Sequence, residues 1–196
     1  MTEADLRERI LDAATRCLVE SGLDARLHAR IAEQAGVSRP TLYKYVGDQA
    51  AILDAVRDRE FEAFFTAAAP VLQQTEDLRE GLVDAIVFVV DYGRRHPLLQ
   101  NALRNNPELI LPALTTEAGP LVDRVHAMFG EQVERAVDAA GSDLDPRVVV
   151  EWSYRIVISL LTTPSGPRTD TPEELRAYID GLVRLSGLLV ATPAPS

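Results

Sequence analysis

The side chains between Ser38 and Tyr45 can address a nucleic acid, and they lie within two helical turns of one another. Arg39 carries the planar guanidinium that reads guanine bidentately in a major groove. Lys44 can reach backbone or base, and Tyr43 and Tyr45 can donate hydroxyls to phosphate. Ser38 and the amides beside it suit a phosphate oxygen, while Pro40 and Thr41 offer a compact, partly apolar surface for a thymine methyl. Charge points the same way. From Arg26 to Val46 the bases Arg26, Arg30, Arg39 and Lys44 face the single acid Glu33, in a chain whose net charge is -10. Such an island can hold a polyanion in one place while the remaining surface repels it. A solvated, charge-balanced helix surface accounts for the same counts, and either tyrosine also suits packing against a following helix.

Other chemistries find less support. His28, His96 and His126 lack metal-ligand spacing, and Cys17, the single cysteine, has no partner for a disulfide and falls on an apolar stripe. No glycine-rich phosphate loop or nucleophile elbow occurs. The segment "GSDLDP" shares letters with a calcium loop, but its proline and missing ligands favour a helix cap. No catalytic residue, metal or cofactor is therefore predicted. Apolar runs such as Ala85 to Val90 fall well short of the roughly 20 residues of a membrane span, and "MTEADLRERI" is not a signal-peptide pattern. The expectation is a cytoplasmic protein with no membrane partner.

The elements that must position these side chains follow from periodicity. Leu6, Ile10, Ala14 and Leu18 recur at helical spacing, with Thr2 and Asp5 suited to the start of a first helix and Gly22 to its end. Ile31, Ala32 and Ala35 mark a short second helix that Gly36 terminates. Ser38 then caps a third, whose first turn tolerates Pro40 because the amides there have no intrahelical partner. Gly47-Asp48 breaks the pattern, and Ile52, Leu53, Val56, Phe61, Phe64 and Phe65 predict a long fourth helix reaching towards Pro70. "LVDAIVFVVDYG" is apolar on nearly all sides, as in a helix enclosed by others. His96-Pro97 ends it, and short, broken helices are expected from Leu98 to Leu114, with Asn106-Pro107 as cap and first residue. Further helices carry Leu121 to Val137, Val149 to Leu161 after Asp145-Pro146, and Leu175 to Leu189 after the capping box Thr171-Pro172-Glu173-Glu174. No strand pattern competes, so the fold class is all-α.

A helix, a glycine-containing turn and a second helix have the spacing of a helix-turn-helix, whose second helix enters the major groove. The stretch "IAEQAGVSRPTLYKYVGDQAAILDAV" resembles the TetR (tetracycline-repressor) family of bacterial regulators. That resemblance implies about nine helices, an N-terminal DNA-binding domain, here 1–47, and a larger domain, 48–196, that binds a small molecule and forms a homodimer. It places recognition-helix contacts on Arg39, Pro40, Thr41, Tyr43, Lys44 and Tyr45, with a backbone contact near His28. Three positions depart from the family pattern. Leu27 replaces a common capping threonine worth about 1 kcal/mol, Val46 replaces an aromatic, and Gln49 replaces a lysine aimed at phosphate, which lowers the salt dependence of binding by about one counterion.

In the larger domain Phe64, Phe65, Phe88, Tyr92, Met128, Phe129 and Trp152 can line a ligand cavity or simply fill the core. Asn101, Asn105, His126, Tyr154 and Arg155 are candidates for orienting a ligand. Val149, Trp152, Ile156 and Leu160 on one of the last two helices, with Leu175, Ile179, Leu182 and Leu189 on the other, exceed what a single buried stripe needs. They predict an intersubunit four-helix bundle, with burial inside the protomer as the alternative. A two-fold dimer would set two recognition helices roughly 34 Å apart on one DNA face. The reading is a ligand-responsive regulator, a repressor released from palindromic double-stranded operator DNA by a small-molecule effector. The alternative is a helical ligand-binding or protein-interaction dimer whose helix-turn-helix is degenerate.

Overall fold

The computed structural model describes residues 2–22, 27–72, 77–163 and 169–188. Among them are ten α-helices and no strand: α1 (Glu3–Ser21), α2 (Leu27–Gln34), α3 (Arg39–Val46), α4 (Gln49–Leu72), α5 (Leu78–Arg95), α6 (Pro97–Asn105), α7 (Pro107–Leu114), α8 (Gly119–Ala139), α9 (Pro146–Thr162) and α10 (Pro172–Leu188). The chain divides into two compact units, one of residues 1–66 and 96–111, the other of 67–95 and 112–196. The first takes in most of α4 and all of α6 as well as the three N-terminal helices.

Local chemistry explains most of the boundaries. α1 opens on a capping box: the Thr2 N–H donates to the Asp5 carboxylate (2.8 Å) and the Asp5 N–H to the Thr2 hydroxyl (3.1 Å). The Thr2 backbone N–H foremost, and the Thr2 hydroxyl after it, hold the Asp5 carboxyl below its usual range. Asp145 caps α9 through the Arg147 N–H (2.8 Å), and Thr171 caps α10 through the Glu174 N–H (3.2 Å). α4 continues two residues beyond the end set by sequence at Pro70. A proline in the final turn removes one intrahelical donor and leaves the earlier turns intact.

In the first unit Ile10, Leu11, Ala13, Ala14 and Cys17 of α1, Leu27, Ile31 and Ala32 of α2, Leu42 and Val46 of α3, and Ile52 and Val56 of α4 form one buried cluster. Each large aliphatic side chain so buried contributes roughly 1.5–3 kcal/mol. Leu27 is the first helical residue of α2 and only 1% exposed, so its role is packing, not capping, and the residue before it lies outside those described. α6 is fastened to the same unit at both ends. At its start the His96 Nδ1 accepts the Leu99 N–H (3.2 Å), which leaves the ring proton on Nε2 for the Glu60 carboxylate (3.0 Å). Further along, the Asn101 amide donates to the Leu18 carbonyl at the end of α1 (2.7 Å), and Asn105 donates to the Asn101 oxygen. Arg59 joins α4 to α1 through Asp12 (2.7 Å), the Thr15 hydroxyl (2.7 Å) and the Leu11 carbonyl (3.3 Å).

In the second unit α5 touches α8, α9 and α10, the enclosed position its sequence predicts. Val83, Ile86 and Val90 of α5 meet Val157 of α9 and Leu175 and Ile179 of α10 in the core. Arg176 pairs with Asp84 and Arg79 with Asp180 along the α5/α10 edge. Arg94 holds the buried Thr169 by its carbonyl (2.5 Å) and hydroxyl (3.1 Å).

Candidate nucleic-acid interface

α3 shows one face to the core and the other to solvent. Leu42 (0% exposed) and Val46 (6%) point inward, while Ser38, Arg39, Pro40, Tyr43 and Lys44 are exposed. The alternation is what an eight-residue helix with anchors four apart must produce. Ser38 is the N-cap: its oxygen accepts the Thr41 N–H (3.2 Å) and lies 2.8 Å from the Thr41 hydroxyl. Thr41 therefore has its hydroxyl tied to the cap, and its methyl is what remains to meet a base. Gly47 closes the helix at φ +76°, where a Cβ would stand 2.9 Å from that of Ala51. Asp48 then caps α4 by accepting the Ala51 N–H (2.9 Å), so its charge is turned onto the helix amides. Gln49 is exposed at the first turn of α4.

The two tyrosines separate. Tyr43 is 51% exposed, and its ring lies on that of His28 from α2, centroids 4.9 Å apart and planes within 15°. Tyr45 is half-buried against the unit's core, with the Lys44 ammonium 5.2 Å from its ring centre. It therefore takes part in packing, as one of its two readings expects. The basic island is also smaller than its formal charge. Arg30 is engaged by Glu20 (3.4 Å), and Arg26 lies outside the described residues. Arg39 and Lys44 are the exposed cations of α3, and neither has an ion-pair partner among the described residues.

The second unit holds an open groove of about 660 Å³ between the end of α7, the start of α8 and one flank of α9. Asp123, Arg147, Glu151, Tyr154, Arg155 and Thr162 line it. Its charges are mutually satisfied, Arg147 on Asp123 (2.6 Å) and Arg155 on Glu151 (2.8 Å). The Tyr154 hydroxyl donates to the Leu114 carbonyl (2.8 Å), and burial pushes its pKa up to about 12. Arg155 and Tyr154 are the sequence-predicted ligand residues that the groove contains. Sequence reasoning missed Arg147, Glu151 and Thr162, although their recurrence along one flank of α9 is a legible signal.

Other ligand candidates lie elsewhere. Asn101 and Asn105 belong to the first unit, where the Asn101 amide donates to the Leu18 carbonyl of α1 and the Asn105 amide donates to Asn101 within α6. Phe65 is buried among Phe61 and Phe64, with centroids 6.1 and 5.3 Å away, and also belongs to the first unit. Phe88 packs on Tyr92 at 5.8 Å in α5. Phe129 is buried in α8, and His126 lies along Gly130 with its Nδ1 buried and without a hydrogen-bond partner among the described residues.

Of the residues expected at a dimer interface, Leu175 (1% exposed), Ile179 (0%) and Val149 (5%) are buried in the protomer itself, the alternative that the sequence also allows. Trp152, Ile156, Leu160 and Leu182 are half-buried against the same core, and Leu189 lies outside the described residues. Among the described residues, the large apolar side chains that α9 and α10 expose are Val148 (57%) and Leu185 (55%). Among the described residues no helix is long and apolar enough to cross a membrane, and no group of three or more His, Cys, Asp or Glu could hold a metal ion.

The arrangement, a capped cationic helix packed on a short partner across a glycine turn, is that of a helix-turn-helix regulator. Residues 10–56 match the model for bacterial regulatory proteins of the tetR family, and residues 77–180 match a C-terminal domain of the bacterial tetracyclin repressor class. The chain belongs to the TetR family. An HTH-type transcriptional regulator of Mycobacterium bovis is 35% identical over 102 residues, 52% of this chain and 52% of the relative. The chain thus spans about half the length of the curated relatives it matches first. The TetR family repressor AlkX from Dietzia sp. strain DQ12-45-1b, described as implicated in biodegradation of n-alkanes, has a similar fold (TM-score 0.61, 23% identity, 94% of each chain covered). So does a TetR-family regulator from Mesorhizobium loti (TM-score 0.67, 18% identity, 96% of this chain and 98% of that one). The family and these relatives are regulators of transcription, not enzymes.

Proposed function

We propose that the protein is a homodimeric, cytoplasmic, effector-responsive transcriptional repressor that binds a palindromic operator through α3. The carrying observation is the division of that helix: Leu42 and Val46 lock it into the core while Arg39, Tyr43 and Lys44 stand exposed on the opposite side of a capped N-terminus. Arg39 reads a base edge, the Thr41 methyl supplies an apolar contact, and Tyr43 and Lys44 meet the backbone. Residues 1–47 act as the reading head, and 48–196 supply the effector site and the second copy's docking face. Val148 and Leu185 are the apolar side chains that a partner would cover.

An effector acts by binding the DNA-ready and released states unequally, a coupling of about 1–3 kcal/mol. Selection from a random duplex pool at moderate salt tests the first step. A repressor enriches an inverted repeat, and Arg39→Ala weakens binding and relaxes the preference at one base position per half-site. Enrichment of no sequence would leave the degenerate helix-turn-helix in its place.

A further inference from the structure

We propose that His28 is a positioning residue for operator recognition: its imidazole holds the Tyr43 phenol in the orientation that meets the phosphate backbone and does not itself touch DNA. This rests on the DNA-binding reading above. The two residues come from different helices, α2 and α3, and their rings lie nearly parallel, 4.9 Å apart and within 15°. Tyr43 is 51% exposed, so without a neighbour its side chain would sample several staggered rotamers. Freezing it on DNA would then cost conformational entropy at the moment of binding, and the stack removes that cost beforehand.

The ring nitrogen supports a supporting role. His28 Nε2 is buried and has no hydrogen-bond partner among the described residues. An atom closed off in this way cannot donate to a phosphate lying outside the protein surface. Leaving it unpaired is unfavourable, so the position is held by what the flat ring does for its neighbour. On this proposal a flat, stackable face is the requirement, and a hydrogen bond from Nε2 is not.

The test is a double-mutant cycle on the duplex selected by the wild-type protein, with thermal melts confirming that each variant folds. His28→Ala should weaken binding about fivefold when the Tyr43 hydroxyl is present and leave it unchanged in the Tyr43→Phe background. His28→Phe, which keeps the flat face and lacks the nitrogens, should bind as the wild type does. Equal losses in both backgrounds, or a His28→Phe variant as weak as His28→Ala, would overturn the proposal. In the DNA-free protein the His28 ring protons should show an upfield NMR shift that disappears in Tyr43→Leu, and an unshifted resonance would also overturn it. A wild-type chain that selects no duplex defeats the regulator reading and this inference together, whereas selection with a null cycle defeats this inference alone.

Discussion

The two compact units solve the packing problem differently. In the first, four helices bury a cluster of aliphatic side chains almost completely, and Arg39, Tyr43 and Lys44 stand exposed on the opposite face of the short helix α3. In the second, a few fully buried residues are surrounded by half-buried ones, Val87, Val89, Trp152, Ile156, Leu160 and Leu182 among them. Large apolar side chains remain exposed beside them on α9 and α10. On the proposed function, a reading head has to present a fixed set of side chains to a rigid duplex, and dense packing delivers that. On the same proposal, a unit that takes a second chain and a small molecule would keep apolar surface in reserve.

The contrast can be broken most forcefully in the first core. Leu42→Ala should cost about 3 kcal/mol and abolish duplex selection. Hydrogen exchange should show lost protection in α1 to α3 with α9 and α10 unchanged, and uniform loss would erase the distinction between the units. Arg39→Ala touches no core, so it should cost about 2 kcal/mol of DNA affinity with an unaltered melting temperature. In the second unit Leu185→Ala should weaken self-association by about 1.5 kcal/mol in sedimentation while the protomer's fold persists. Ser38→Ala should lower the stability of the first unit by about 1 kcal/mol through loss of the α3 cap, measured by urea titration.

The smallest effect is one of pH. The Tyr154 hydroxyl has a folded pKa of about 12 against its ordinary 10. Between those values the unfolded chain has released a proton that the folded chain keeps. The associated stability is therefore complete below pH 10 and is lost as pH rises towards 12. Tyr154→Phe should flatten that part of the curve relative to wild type when urea midpoints are followed across the range.

What could be read from sequence differs between the units for physical reasons. The reading head is local: Gly36, Ser38, Pro40 and the apolar spacing of α2 and α3 fix it within sixteen residues, and its architecture follows. Phase is less legible in the last helices. When a helix is apolar on two sides, periodicity gives the spacing but not which side meets the protomer's own core, so Leu175 and Ile179 read equally as partner-facing or as buried, and the structure buries them. Asn101 illustrates a second limit, because its partner, the Leu18 carbonyl, is 83 residues away in sequence. Polar residues beside an apolar stripe look alike whether they await a ligand or close a tertiary joint.

That joint has a chemical handedness. The Asn101 amide must offer hydrogens to the Leu18 carbonyl and its oxygen must receive one from Asn105, so the side chain fits in a single sense. Aspartate, nearly identical in shape, would set one oxygen against another in a buried place, turning a clasp into a repulsion. What α6 recognises at the tail of α1 is therefore the polarity of a few hydrogens and not the outline of a side chain.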